Sequence, residues 1–141
     1  MAITQGMCTS FKQQLFLAQQ DMDTDVFKIA LYTSAASLDF STTVYTTADE
    51  VSSSGTNYTA GGNILTGVTV NASGSAAYVD FADTVWPAAT ITARGALIYN
   101  SSKANAAVAV IDFGSDRTST AGNFTIQFPP NNSTNAILRI A

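Results

Sequence analysis

Two aspartates are the residues in this sequence whose types and contexts could support catalysis. Asp80 lies in the segment YVDF (78–81), and Asp112 lies in the similar segment VIDF (110–113). Two carboxylates on adjacent strands could serve as the acid and base, or acid and nucleophile, of a glycosidase. The interpretation we favour is that each carboxylate lies where a strand turns and accepts hydrogen bonds from loop backbone.

Alternating carboxylates at Asp21, Asp23 and Asp25 resemble the opening of a calcium-binding loop. Counted from Asp21, position 6 of such a loop requires glycine and position 12 requires glutamate. The chain has Val26 and Tyr32 there. We therefore favour a solvated loop and predict no metal site.

Other catalytic machinery is missing from the sequence. It contains no histidine, which excludes the usual general base and any Ser-His or Cys-His nucleophile. The single cysteine, Cys8, excludes an internal disulfide and has no partner of metal-site spacing. We predict a protein that is not an enzyme, with no catalytic residue and no cofactor.

Charge and composition exclude further classes of partner. The net charge is −4, and the six basic residues are scattered, which argues against a nucleic-acid partner. No apolar run approaches the roughly 20 residues that span a bilayer, and residues 1–5 do not resemble a signal peptide, so we expect synthesis in a cytoplasm and no membrane partner. Charged residues make up only 11% of the chain, which suits packing against other subunits but also fits a plain secreted-type β-domain.

The local patterns predict one helix followed by strands. Ser10 and Gln13 form a capping-box pattern, and Phe11, Leu15 and Ala18 share a face, which predicts a helix over 10–20 that packs on this domain's sheet or on a neighbouring subunit. Strands are expected at 27–33, 42–47, 64–70, 76–81, 91–99, 106–113, 123–128 and 136–141. The predicted fold is an all-β, antiparallel, jelly-roll-like β-sandwich of about eight strands. Its predicted organisation is an N-terminal helical arm (1–25) and a single β-sandwich domain (26–141).

The central element of this prediction is the hairpin within residues 88–113, because its strands carry apolar residues on both faces. We expect a corner at Trp86 and Pro87, with Trp86 as a lid over the core, and a polar loop at 115–122. The longer loop at 48–62 is interpreted either as a contact arm or as a floppy surface connection.

Five segments of the chain carry structural motifs: SFK (10–12), FKIALYT (27–33), YTAGG (58–62), ARGALIYN (93–100) and DFGSD (112–116). Together they resemble a family of small virion proteins of tailed bacteriophages. The resemblance covers nearly the whole chain, and its motifs mark no active site.

Several such phage proteins are capsid cement or decoration proteins with jelly-roll-like folds. The resemblance implies a location on the capsid surface, where the chain would bind the major capsid protein and copies of itself, as a dimer or trimer. We take the helix at 10–20 and the loop at 48–62 as the candidate contact elements. The alternatives are a phage tail or fibre component, or a glycan-binding β-sandwich with Tyr58, Trp86 and Tyr99 as stacking residues.

Overall fold

The computed structural model describes residues 2–129, 132 and 134–140. The elements are β1 (Gly6–Met7), α1 (Thr9–Phe16), β2 (Phe27–Tyr32), β3 (Asn63–Ile64), β4 (Thr69–Ser73), β5 (Ala76–Asp80), β6 (Thr84–Asn100), β7 (Ala106–Ile126) and β8 (Leu138–Ile140). They form a five-stranded sheet, in the order β1-β7-β6-β2-β3, and a three-stranded sheet, in the order β4-β5-β8. All strand pairings in both sheets are antiparallel. The predicted fold class, an all-β sandwich-like fold with one short N-terminal helix, is confirmed.

The hairpin of β6 and β7 is the centre of the larger sheet. Its strands pair from Thr84↔Ile126 to Asn100↔Ala106, and β2 covers the other edge of β6 along Gly95–Asn100. The turn between them uses Ala104 and Asn105 in the left-handed region, with φ of 54° and 59°. The predicted central position of this hairpin is therefore confirmed, although both strands are longer than expected.

Two predictions about the outer part of this hairpin are wrong. The segment 115–122 is part of strand β7 rather than a loop, because it pairs with β6, with Ser119 opposite Ile91. Trp86 and Pro87 lie inside β6 rather than at a corner. Pro87 is tolerated because the register shifts between Trp86 and Ala89 interrupt the regular ladder at this point.

Two predicted strands are also altered. Residues 42–47 form only an isolated bridge, between Val44 and Ala106, so this segment follows the edge of β7 without becoming a strand. The predicted strand 64–70 is divided between β3 and β4. Gly67 lies between them with φ of +62°, a conformation that an extended strand does not accommodate.

Helix α1 is shorter than the predicted 10–20 and has a different cap. Its N-cap is Cys8, which makes no side-chain capping bond, and the Ser10 hydroxyl is buried without a hydrogen-bond partner among the described residues. The capping-box prediction is therefore wrong. The Cys8 N–H donates to the Val108 carbonyl at 2.9 Å, so the chain is still paired with β7 where the helix begins. The helix ends before Ala18, whose φ is 56°.

One hydrophobic core joins the two sheets and the N-terminal residues. Phe81, which follows β5, contacts Phe27 and Phe128, with ring centroids 6.1 and 5.8 Å apart respectively. Ile3 and Phe11 belong to the same core, so α1 packs on this domain's own sheet. Within the described residues, no helix is both long and apolar enough to cross a membrane.

Candidate functional site

The two candidate catalytic aspartates lie in different sheets. Asp80 ends β5 in the smaller sheet, and Asp112 lies in β7 in the larger one, so the idea of a carboxylate pair on adjacent strands is wrong. Asp112 Oδ1 accepts the Gly114 N–H at 2.8 Å and lies 3.5 Å from Arg94 Nε. Asp112 therefore accepts a backbone hydrogen bond as expected, but it lies within β7 rather than where a strand turns. Asp80 Oδ1 is buried without a hydrogen-bond partner among the described residues.

The carboxylates of the 21–25 segment stabilise a turn. Asp21 Oδ1 accepts the N–H of Asp23 at 2.9 Å. Asp25 Oδ2 accepts from Asn100 Nδ2 at 2.7 Å, and Asp25 Oδ1 lies 3.3 Å from Lys103 Nζ. No cluster of three potential metal-ligating side chains occurs in residues 2–129, 132 and 134–140.

Asp25 connects this turn to the tip of the central hairpin. Its side chain is only 7% exposed, so the prediction of a solvated loop is wrong at this residue. Burial opposes its ionisation, but the hydrogen bonds from Asn100 and the Asp21 backbone, together with Lys103, hold the pKa of Asp25 below its ordinary value. The Asp25 carboxylate is therefore ionised at neutral pH, and its role is structural.

The lone cysteine lies in an environment that suppresses nucleophilic chemistry. Cys8 is fully buried at the start of α1. Burial, with a smaller contribution from Asp39, raises the pKa of its thiol to about 11. A thiol with this pKa is almost entirely protonated at neutral pH, and the thiolate is the nucleophilic form.

The three aromatic residues proposed for glycan stacking are buried. Tyr58, Trp86 and Tyr99 are each 2% exposed, so the prediction that they stack against a sugar is wrong. The ring of Tyr58 packs 5.9 Å from that of Trp86, and Tyr99 stacks on Tyr45 at 4.5 Å. These rings are part of the core, as the interpretation of Trp86 as a lid anticipates.

Glu50 forms the main side-chain anchor of the 48–62 loop. Its Oε1 accepts from the Tyr45 hydroxyl at 2.7 Å. Its Oε2 accepts from the Tyr58 hydroxyl at 2.5 Å and from the Gly61 N–H at 2.8 Å. The Gly61 carbonyl in turn accepts from the Tyr99 hydroxyl at 2.6 Å. The Glu50 carboxylate thus joins the two ends of the loop to each other, and the bond from Tyr99 to Gly61 connects the loop to β6.

The tyrosines around Glu50 remain hydrogen-bond donors across the physiological pH range. Burial and the nearby Glu50 raise the pKa of Tyr99 to about 12. Burial and the hydrogen bond to Glu50 raise the pKa of Tyr58 and of Tyr45 further above the ordinary value. Protonated phenols beside a carboxylate form a stable network, so the geometry indicates loop anchoring rather than acid–base catalysis.

Glycine is required where this loop meets β2. Gly62 has φ of +79°, and a Cβ at this position would lie 1.7 Å from the Ile29 carbonyl oxygen. The loop is therefore held close to the sheet at its second end, which is inconsistent with a floppy connection. Its tip, Ser52–Gly55, is exposed and remains available for contact.

An apolar groove lies between α1 and β8, and we call it the α1–β8 groove. Its volume is about 350 Å³, and its lining consists of Met7, Lys12, Leu15, Phe16, Arg139 and Ile140. Phe16 is 93% exposed and Ile140 is 55% exposed. Helix α1 therefore packs on the core through Phe11 and leaves the side chain of Phe16 in solvent.

A second concave surface follows the outer half of β7, and we call it the β7 trough. Its volume is about 470 Å³. Apolar groups from Ile111, Phe113 and Ile137 line it together with β7 residues between Arg117 and Ile126. No sequence pattern indicated this surface, because the prediction treated 115–122 as a loop.

Comparison with known proteins yields no match among family models, curated proteins or solved structures. The surfaces and motifs of the chain itself are therefore the observations that bear on its function.

Proposed function

We propose that this chain is a non-enzymatic structural protein of a tailed-bacteriophage virion, acting as a capsid cement or decoration protein. It binds the outer capsid lattice and stabilises it through contacts with the major capsid protein and with copies of itself. Synthesis in the host bacterial cytoplasm precedes its assembly onto the capsid surface. The resemblance of segments such as ARGALIYN (93–100) to small phage virion proteins supports the virion origin.

The exposure of Phe16 is the observation that carries the contact role. An aromatic side chain that is 93% exposed beside a groove containing Leu15 and Ile140 is an apolar surface of the kind that marks protein contacts. The low charge of the chain lowers the desolvation cost of covering such a surface. Repetition over a lattice converts a modest affinity at each site into high avidity.

The hydrogen bonds accepted by three carboxylates support the non-enzymatic part of the proposal. Glu50, Asp25 and Asp112 each accept hydrogen bonds that hold backbone or side chains of the fold. Their contacts account for these carboxylates as structural groups. A capsid protein acts through area and shape, and needs no reactive group.

Co-sedimentation with capsids assembled without this chain tests the proposal. We expect the wild-type chain to pellet stoichiometrically and the Phe16→Ser variant to bind at least about tenfold more weakly. The matched control is Ile64→Ser, which removes an apolar residue that is 59% exposed on β3, at the opposite edge of the larger sheet from β1. A wild-type chain that does not pellet with capsids would overturn the proposal.

A further inference from the structure

The chain covers the outer edge of β7 along only part of its length. The Ala107 N–H donates to the Thr43 carbonyl at 3.0 Å, and β1 pairs with Ala109 and Val110. The Asp112 N–H donates to the Gln5 side chain at 3.2 Å. Three successive segments therefore protect this edge as far as Asp112.

Beyond Asp112 the edge is open. Between Gly114 and Ile126, no strand of the described residues pairs with β7 on the side away from β6. Most side chains of 114–123 are exposed as well. Gly114 and Ala121, with φ of 81° and 47°, interrupt this stretch. The backbone between them, about 20 Å long at the usual rise per residue, presents unpaired groups that are complementary to another extended strand.

The β7 trough lies along this open edge and has a defined chemical character. Phe113 and Phe124 pack together there with ring centroids 6.3 Å apart, and Ile137 adds a further apolar side chain. Arg117 is the only charged residue lining the trough among residues that the structure describes. A chain of net charge −4 thus places one cation on this concave surface.

The trough is continuous with the α1–β8 groove. An intervening cleft of about 530 Å³ shares Gln5 and Ile137 with the trough, and shares Met7 and Arg139 with the groove. One side of the molecule therefore carries a continuous concave surface, from the exposed helix to the open strand edge. This continuity is expected if a single partner surface covers both.

We infer that the open edge of β7 accepts an extended segment of a neighbouring capsid subunit as an additional antiparallel strand, in line with β1. The inference rests on the proposed function and specifies its mode of contact. Alternate apolar side chains of the segment enter the trough against Phe113 and Phe124, and a carboxylate lies against Arg117. The described lining of the continuous concave surface contains the cations Lys12, Arg117 and Arg139 and no carboxylate, so charge favours a different, acidic segment over a second copy, which would bring the same cations.

Hydrogen–deuterium exchange of the free and capsid-bound chain tests this inference, with capsids assembled without the chain as the probe. We expect the amides within 114–126 that point away from β6 to exchange rapidly in the free chain and to become at least tenfold slower when it is bound. Binding without protection there would overturn the inference and leave the capsid role standing. Absence of binding would overturn both. Protection in the free chain that rises with concentration would identify a second copy as the occupant and overturn the inference.

Two variants that change the charge by one unit test the carboxylate contact. Arg117→Gln removes the cation of the trough, and Ser73→Asp adds an anion at an exposed residue of β4 in the smaller sheet, outside the lining of the trough, the cleft and the groove. We expect Arg117→Gln to weaken capsid binding at least about tenfold, and Ser73→Asp to change it by less than about threefold. Equal binding by the wild type and both variants would overturn the proposed contact with Arg117.

Discussion

The two halves of strand β7 pair with the same neighbour but lie in opposite environments. The inner residues, Ala106–Val110, are all buried, with exposures of 0 to 8%. The outer residues between Gly114 and Asn123 are exposed, apart from partial burial at Ser119 and Gly122. Strand pairing is therefore common to both halves, whereas burial distinguishes them.

Within β7, the inner half therefore contributes to the stability of the fold, whereas the outer half is available for contact with a partner. The inner half contributes apolar side chains to the core, where burial supplies most of the stabilisation. The outer half is ordered through its pairing with β6, whose Trp86 and Ile91 are covered on the core side. A strand that is left exposed on its faces and along one edge adds little stability, and it is suited to completion by a partner.

The largest expected effect comes from Leu97→Ala in β6, where Leu97 is fully buried opposite Val110. Loss of the apolar contacts and the resulting cavity should lower the free energy of unfolding by about 2–5 kcal/mol. Urea denaturation monitored by tryptophan fluorescence provides the measurement. The control is Val85→Ala, in the part of β6 that pairs with the outer half of β7. Because Val85 is 40% exposed, the free energy of unfolding should fall by less than about 1 kcal/mol. Equal losses would contradict the distinction between the two halves.

A smaller effect is expected for Glu50→Gln, which tests how the 48–62 loop is held over the outer half of β6. The variant weakens the bonds from Tyr58 and Gly61, so the free energy of unfolding should fall by about 1–3 kcal/mol. Denaturant unfolding measures this loss, and hydrogen exchange within 48–62 should become faster. Asp49→Asn is the matched control, because Asp49 is exposed and adjacent. Similar behaviour of the two variants would contradict the anchoring role of Glu50.

The smallest effect concerns pH and the hairpin tip. Because the folded-state pKa of Asp25 is depressed, its ionised form stabilises the fold above the ordinary value of about 4, and this contribution is lost as the pH falls through the depressed value. Asp25→Asn should therefore be less stable at neutral pH and should lose less stability on acidification. Urea titrations at a series of pH values measure both effects.

Asp116→Asn in the exposed outer half provides the control for this pH experiment. The free energy of unfolding of this variant should change with pH in the same way as that of the wild type. An Asp25→Asn variant whose stability falls with acid as steeply as that of the wild type would contradict the assigned role of Asp25.

The sequence predicted the inner half of the hairpin because Leu97, Ile98 and Val108 create an apolar pattern on both faces. It missed the outer half of β7 because residues exposed on both faces leave no alternation to detect. Strands β1 and β3 contain two residues each, too few for any periodic pattern.

The anchor of the 48–62 loop was equally hidden in the sequence. Tyr45, Glu50, Tyr58 and Tyr99 follow no local periodic pattern, and the tertiary fold brings them together. Gly61-Gly62 was the one local signal, since paired glycines often mark a close backbone approach. The residues of the proposed contact surfaces are exposed because of how the chain folds in three dimensions, and local sequence patterns do not reveal this.

A cryo-electron microscopy reconstruction of capsids decorated with this chain tests the central claim most directly. The account predicts density for the chain on the outer capsid surface, with an extended segment of a neighbouring subunit alongside Gly114–Ile126. It also predicts that Phe16 is covered. A reconstruction in which the chain is bound with the outer half of β7 facing solvent, or in which the chain is absent from the capsid, would contradict it.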